Sequence, residues 1–159
     1  MSKDIQDVEK NEDFDLKKFA EELGDLEQGW RGRGTDWFLQ DLARWVNKMG
    51  IEFSISLHTP AGVVSGTAIS HEKYFKTFAE QFVGPWAGDA AGDLQSVIEG
   101  FGKPVPDEED SNARLQYIHL KDARFFAPGQ KSMPNNGVLW RGKISSVCSF
   151  HLGQLIDPS

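Results

Sequence analysis

Apolar residues return along this chain with two different periods, and the change of period divides it into elements. Between Thr35 and Gly50, residues Phe38, Leu42, Trp45, Val46 and Met49 recur at helical spacing and define one face about 100° wide. Thr35 is placed to cap that helix, with Asp36 in its first turn and Gly50 at its end. The period then drops to two. In Ile51-Glu52-Phe53-Ser54-Ile55-Ser56-Leu57 apolar and polar residues alternate without a break, the pattern of a strand buried on one face and wet on the other. Thr59-Pro60-Ala61-Gly62 makes a turn, and Val63 to Ile69 returns as an antiparallel partner in which Gly66 permits a bulge or sharp bend.

Helical spacing resumes after Ser70, a second capping residue, with Tyr74, Phe75, Phe78, Ala79 and Phe82 on one stripe that Gly84-Pro85 ends. Aromatics at this spacing read as core. Gly88 to Gly92 reads as a loop before a short helix over Asp93 to Phe101, and Lys103 to Asp110 is too acidic and proline-rich to pack. Leu115 to Phe126 is a third strand, with Ile118 and Leu120 inward and a register shift near Lys121-Asp122 that carries Ala123 and Phe125 in. After a Pro/Gly/Asn loop from Ala127 to Gly137, Val138 to Ile144 and Val147 to Leu152 read as a last hairpin joined at Ser145-Ser146. The sum is an α+β fold: a small, strongly bent antiparallel five-stranded sheet or barrel with an N-terminal capping helix and a helical insertion between strands 2 and 3. Such strands must close on one another or be covered by a helix, and any edge left open favours dimers or rings through edge pairing.

Charge changes the picture at the N-terminus only. The chain carries −7 at pH 7, yet residues 1 to 27 alone hold ten acids against four lysines. Residues 1–34 therefore form an acidic arm ending in the hinge Gln28-Gly29-Trp30-Arg31-Gly32-Arg33-Gly34, and residues 35–156 a single globular domain of nearly balanced charge. Balanced charge argues against nucleic acid as a general partner, because phosphate binding needs a surplus of Lys and Arg along one face. The chain has no apolar run long enough to span a membrane and no basic, apolar start of a secretory signal, so it is read as soluble. Its one cysteine, Cys148, has no partner for an internal disulfide, which suits a reducing compartment.

The residues with chemical potential do not assemble into a familiar reaction. No two of His58, His71, His119 and His151 stand three or four positions apart, so a helix-borne metal site is not expected; strand pairing that brought His119 and His151 together near Asp122 is the remaining route to one, against the plainer reading of a satisfied histidine on a half-buried strand. Cys148 with His151 and Asp122 would make a thiol nucleophile, base and orienting acid, but a lone strand cysteine reads as a small core residue. No phosphate loop, nucleophile elbow or dinucleotide fingerprint is present, so no cofactor or catalytic residue is assigned. The best contact candidate is Trp140-Arg141-Gly142-Lys143, where stacking, apolar area and bidentate hydrogen bonding coincide, with Arg124 and Trp37 as further contacts. Trp140 as barrel wall, Arg141 as a turn-closing ion pair and Trp37 as the edge of the same core are the competing readings, and the residues leave both open.

Two resemblances add to this. The leading helix, the bent strand pair around Gly66, and the Ile118–Ala123 and Leu139–Ile144 strands are similar in plan to the Sm-like small barrel, whose Arg-Gly loop is matched by Arg141-Gly142; that implies an RNA-binding module using Arg141, Lys143, Arg124 and the Trp30–Arg33 hinge as the alternative function. The closer resemblance, over roughly residues 38 to 156, is to the accessory gas vesicle protein U (GvpU) family. It is carried by Ile55-Ser56-Leu57, Val64 to Ser70, Lys73-Tyr74-Phe75, Ile118 to Lys121, Trp140 to Ile144 and Phe150 to Gly153 in this order. It implies a cytoplasmic, non-enzymatic accessory protein, possessing no assigned catalytic residues, with gas vesicle proteins as partners, while the open strand edges add further copies of itself.

Overall fold

The first helix begins one residue later than its capping signal suggests. The computed structural model describes residues 35–103 and 116–157; the acidic arm, its hinge and the Pro104–Asp110 stretch lie outside them. Helix α1 (Trp37–Met49) is capped by Asp36 and not by Thr35, its carboxylate accepting from the backbone N–H groups of Phe38 at 2.9 Å and Leu39 at 3.1 Å. A carboxylate satisfies orphan donors and meets the positive end of the helix dipole at once, which favours Asp36 over its neighbour. Gly50, at φ 64°, ends the helix in the left-handed conformation. The buried stripe is Leu39, Leu42, Ala43 and Val46, rotated from the expected one, so that Phe38, Trp45 and Met49 are exposed.

Strands β1 (Phe53–Thr59) and β2 (Gly62–Ile69) form the expected hairpin, with Leu57 opposite Val64 and Ile55 opposite Gly66. Gly66 stands where the β2 register with β3 (Tyr117–Phe126) shifts. A Cβ there would lie 2.9 Å from the Lys121 carbonyl oxygen and 3.0 Å from the Ala123 Cα, so the two strands approach too closely for any side chain. The second shift is on β3 itself between Leu120 and Ala123, where Asp122 takes φ 53° and Ala123 returns to the core, as the sequence predicts.

Strand β4 (Met133–Lys143) starts inside the predicted loop, and the last hairpin is not formed. The sheet order is β4-β3-β2-β1-β5, all neighbours antiparallel, so β5 (Ser149–Leu152) pairs with β1 and lies at the opposite edge from β4. The 3-10 turn Ile144–Ser146 explains the difference. Ile144 is fully buried and draws the turn into the core, after which the Cys148 N–H donates to the His58 carbonyl at 2.7 Å and fixes the following segment on β1. The sheet is therefore open, with β4 and β5 as its edges.

One face of the sheet, bearing Ile55, Leu57, Val64, Ala68, Ile118, Leu120 and Ala123, packs with the buried stripe of α1 and with Ile144 to form the core. Phe53, Phe125, Trp140, Val147 and Phe150 seal its margin. The other face is not the wet one that the alternation in β1 predicts. Ser56 and Ser65 are buried there, joined at 2.8 Å, because the C-terminal residues cross over them. Ser56 donates to the Gly153 carbonyl at 2.8 Å, the Leu155 N–H donates to Ser65 at 2.9 Å, and Asp157 accepts from the backbone N–H and hydroxyl of Ser132. Beside this strap, α2 (His71–Val83), capped by Ser70, and α3 (Asp89–Gly100) form a helical pair whose first member meets the same sheet face at β3. Gly88 to Gly92, read as a loop, leads into α3 and supplies its first turn. The insertion between β2 and β3 is thus helical, as expected. No helix among the described residues is long and apolar enough to cross a membrane.

Candidate contact surface

Residues four apart on a helix share a face, and Tyr74, Phe78 and Phe82 of α2 use that spacing to build a row of rings that Trp86, past the helix end, continues. Consecutive centroids are 6.0, 5.9 and 5.9 Å apart, and the first two pairs are stacked, at 25° and 11°. Exposure climbs along the row, from buried Tyr74 to Trp86 at 57%. The sequence reads this stripe as core, and for Phe78 and Phe82 the structure overturns that. Helix α2 meets the sheet at β3 and otherwise packs on α3, so its buried positions are Tyr74, Ala79 and Val83 and the far end of the aromatic row is left in solvent. Val97 of α3 and Phe101, its C-cap, are exposed as well.

A second exposed aromatic group sits at the start of α1. Trp37, 72% exposed, lies 5.6 Å from Phe38, and Phe38 lies 5.9 Å from Phe150 of β5. Trp37 thus tops a ladder of rings that descends to the core margin. Trp45, Met49 and Ile51 are exposed as well.

The Trp140–Lys143 stretch divides between the two faces of β4, because successive strand residues point oppositely. Trp140 is half-buried against the core. Its indole lies over Gly142, where a Cβ would come within 1.9 Å of the ring. Arg141 is exposed on the other face, its guanidinium carbon 3.7 Å from the Tyr117 ring centroid and 5.8 Å from that of Phe75. Lys143 is exposed at the end of the strand, and Arg124, half-buried, stands opposite Ser65 on β3. Arg141, Arg124 and Trp37 are thus on three different elements. Tyr117, the platform of Arg141, carries no local sequence signal of that role, since the pairing of Tyr117 with Lys143 that brings the strands together is a tertiary fact.

Behind Arg141 lies a buried imidazole. His119 is 2% exposed, its ring 4.5 Å from Tyr74 and 5.2 Å from His71, and its Nε2 has no hydrogen-bond partner among the described residues. Burial, and secondarily the charges of His71 and Arg141, push its pKa down to about 3. Burial also raises the Tyr74 hydroxyl above its ordinary value. Nearby, Glu52 accepts from both Lys121 and Lys73, tying β3 and α2 to the chain entering β1. Those hydrogen bonds hold its carboxyl below the usual range.

The two chemical alternatives raised by the sequence lose their geometry. His119 is on β3 and His151 on β5, with β2 and β1 between them, and Asp122 is likewise separated from Cys148 and His151. His151 instead faces His58, and Cys148 is exposed, not core. No group of three or more His, Cys, Asp or Glu side chains among the described residues is placed to hold a metal ion.

No curated protein and no solved structure matches the chain. A family model does: residues 36–155 match the one described as gas vesicle protein GvpU-like. That span contains every helix and strand from α1 to β5, and the chain belongs to the GvpU-like family of gas vesicle proteins.

Proposed function

We propose that this is a non-enzymatic accessory protein of gas vesicle assembly or organisation, acting in the cytoplasm through contacts with gas vesicle proteins and with further copies of itself. The observation that carries the reading is the exposed aromatic row of Phe78, Phe82 and Trp86. Large aromatic side chains dominate interface energetics, and an apolar patch that a fold leaves uncovered marks a surface that meets something else. Family membership directs that surface to the vesicle. Arg141 with Lys143, Trp37 and Arg124 are assigned to the same work as separate polar and aromatic contacts, while Trp140 and Gly142 hold the β4 wall from which Arg141 projects. Self-association is supported by β4 and β5, which among the described residues are the sheet's edges, where a further strand can pair.

The test is co-flotation of the purified protein with intact gas vesicles. The wild type is expected to float with them and the Phe82→Ser/Trp86→Ser double variant to stay in the subnatant, with unchanged circular dichroism. Equal flotation of both proteins overturns the assignment of this surface, and absence of wild-type flotation overturns the vesicle partner.

A further inference from the structure

Across β1 and β5 two imidazoles face each other at the edge of the sheet. His58 is paired with Ser149 and His151 with Ser56, so the two histidines stand diagonally on neighbouring strands, on the face opposite Leu57 and Phe150. His58 Nε2 and His151 Nδ1 are 3.2 Å apart, with ring centroids at 5.3 Å. Backbone hydrogen bonds bracket the pair, from the Cys148 N–H to the His58 carbonyl at 2.7 Å and from the Gly153 N–H to the Ser54 carbonyl at 2.8 Å. The two side chains therefore project from a fixed piece of sheet, His151 exposed and His58 half-buried.

That spacing has a chemical meaning. Two Zn–N bonds of about 2.0–2.1 Å at the tetrahedral angle place their nitrogens about 3.3–3.4 Å apart. The observed separation is close to that bite. In the absence of an ion one ring must present its N–H to the lone pair of the other; a cation takes both lone pairs. Imidazole nitrogen suits zinc, nickel and copper, whereas calcium and magnesium require oxygen. The described residues supply no third His, Cys, Asp or Glu, so among them the pair fills two of four positions. β5 is an edge strand, and a second copy can approach there to present the same pair.

We propose that His58 and His151 form half of a tetrahedral site for a zinc-class divalent ion, completed by the same two imidazoles of a second copy. The site is independent of the aromatic row and of vesicle binding.

Titration calorimetry of the full-length, tag-free protein with zinc, followed by light scattering at the end point, tests it. The expected result is one ion per two chains, a doubling of mass on zinc addition that excess chelator reverses, and four-coordinate visible absorption when cobalt(II) replaces zinc. His58→Gln and His151→Gln each lower the affinity by more than about 100-fold, since losing a ligand must cost more than losing a group that merely orients one. Their unchanged thermal melting in chelator excludes misfolding. Absence of a zinc-dependent mass change in the wild type overturns the proposal, as does a change that survives in the double variant or a stoichiometry of one ion per chain.

Discussion

Replacing His119 by leucine should remove most of the protein's sensitivity to mild acid. The imidazole is buried between β3 and α2, faced by His71, Tyr74, Phe75 and Arg141, and its Nε2 lacks a partner among the described residues. It binds a proton in the unfolded chain below its ordinary value of 6.5, and in the folded chain only below about 3. Between those two values the unfolded state holds more protons, so stability rises with pH and falls on acidification. At about 1.4 kcal/mol per pH unit, bringing the protein from pH 7 to pH 5 removes about 2 kcal/mol through this one group. A medium-sized domain with 5–15 kcal/mol in hand would show that plainly. Urea unfolding of wild type and His119→Leu at both pH values measures it. The variant should match the wild type within about 1 kcal/mol at pH 7, because leucine has a similar volume and leaves no orphan nitrogen. At pH 5 the variant should be the more stable by about 2 kcal/mol. Equal pH dependence in the two proteins would refute the claim that His119 is held neutral by burial.

Three further outcomes follow from the packing. Gly66→Ala places a methyl group against the backbone of Lys121 and Ala123, and because a backbone cannot swing aside it should cost about 1–3 kcal/mol in chemical unfolding. Leu39→Ala should cost about 3 kcal/mol and Phe38→Ala about 1 kcal/mol or less, since Leu39 is fully buried and Phe38 is largely a surface ring; the reverse order would place the stripe where the sequence alone put it. Ending the chain after Gly153 removes the Leu155 and Asp157 contacts, and should speed amide exchange in β1 and β2 beneath the strap. Hydrogen bonds from Ser132 hold the Asp157 carboxyl below its ordinary 3.8, so the clamp's contribution is present above that value and lost as pH falls through the lower folded value.

Where one local rule decided the outcome, the sequence was readable. The strand through Phe53 to Leu57, the caps at Ser70 and Gly50, and the bulges at Gly66 and Asp122 each follow from a few adjacent residues, and each is in the fold. The readings that differ required knowledge of a distant partner. A stripe of apolar residues says that a helix has an apolar face, but in α1 both Phe38 and Leu39 are apolar, and only the sheet beneath decides that Leu39 is buried. In α2 the aromatic spacing was visible and its meaning was not: a short contact with β3 leaves Phe82 and, past the helix end, Trp86 exposed among the described residues. Ser145-Ser146 signals a turn without saying which edge receives the next strand, and Ile144, drawn into the core, sends β5 to β1. That same choice of edge places His151 beside His58 and away from His119, which closes the route to a shared site that the sequence had left open. Function was legible to the same depth. Ordered short motifs carried the family, whereas the surface that such a protein would use depends on which apolar residues the fold fails to cover, and no run of sequence states that.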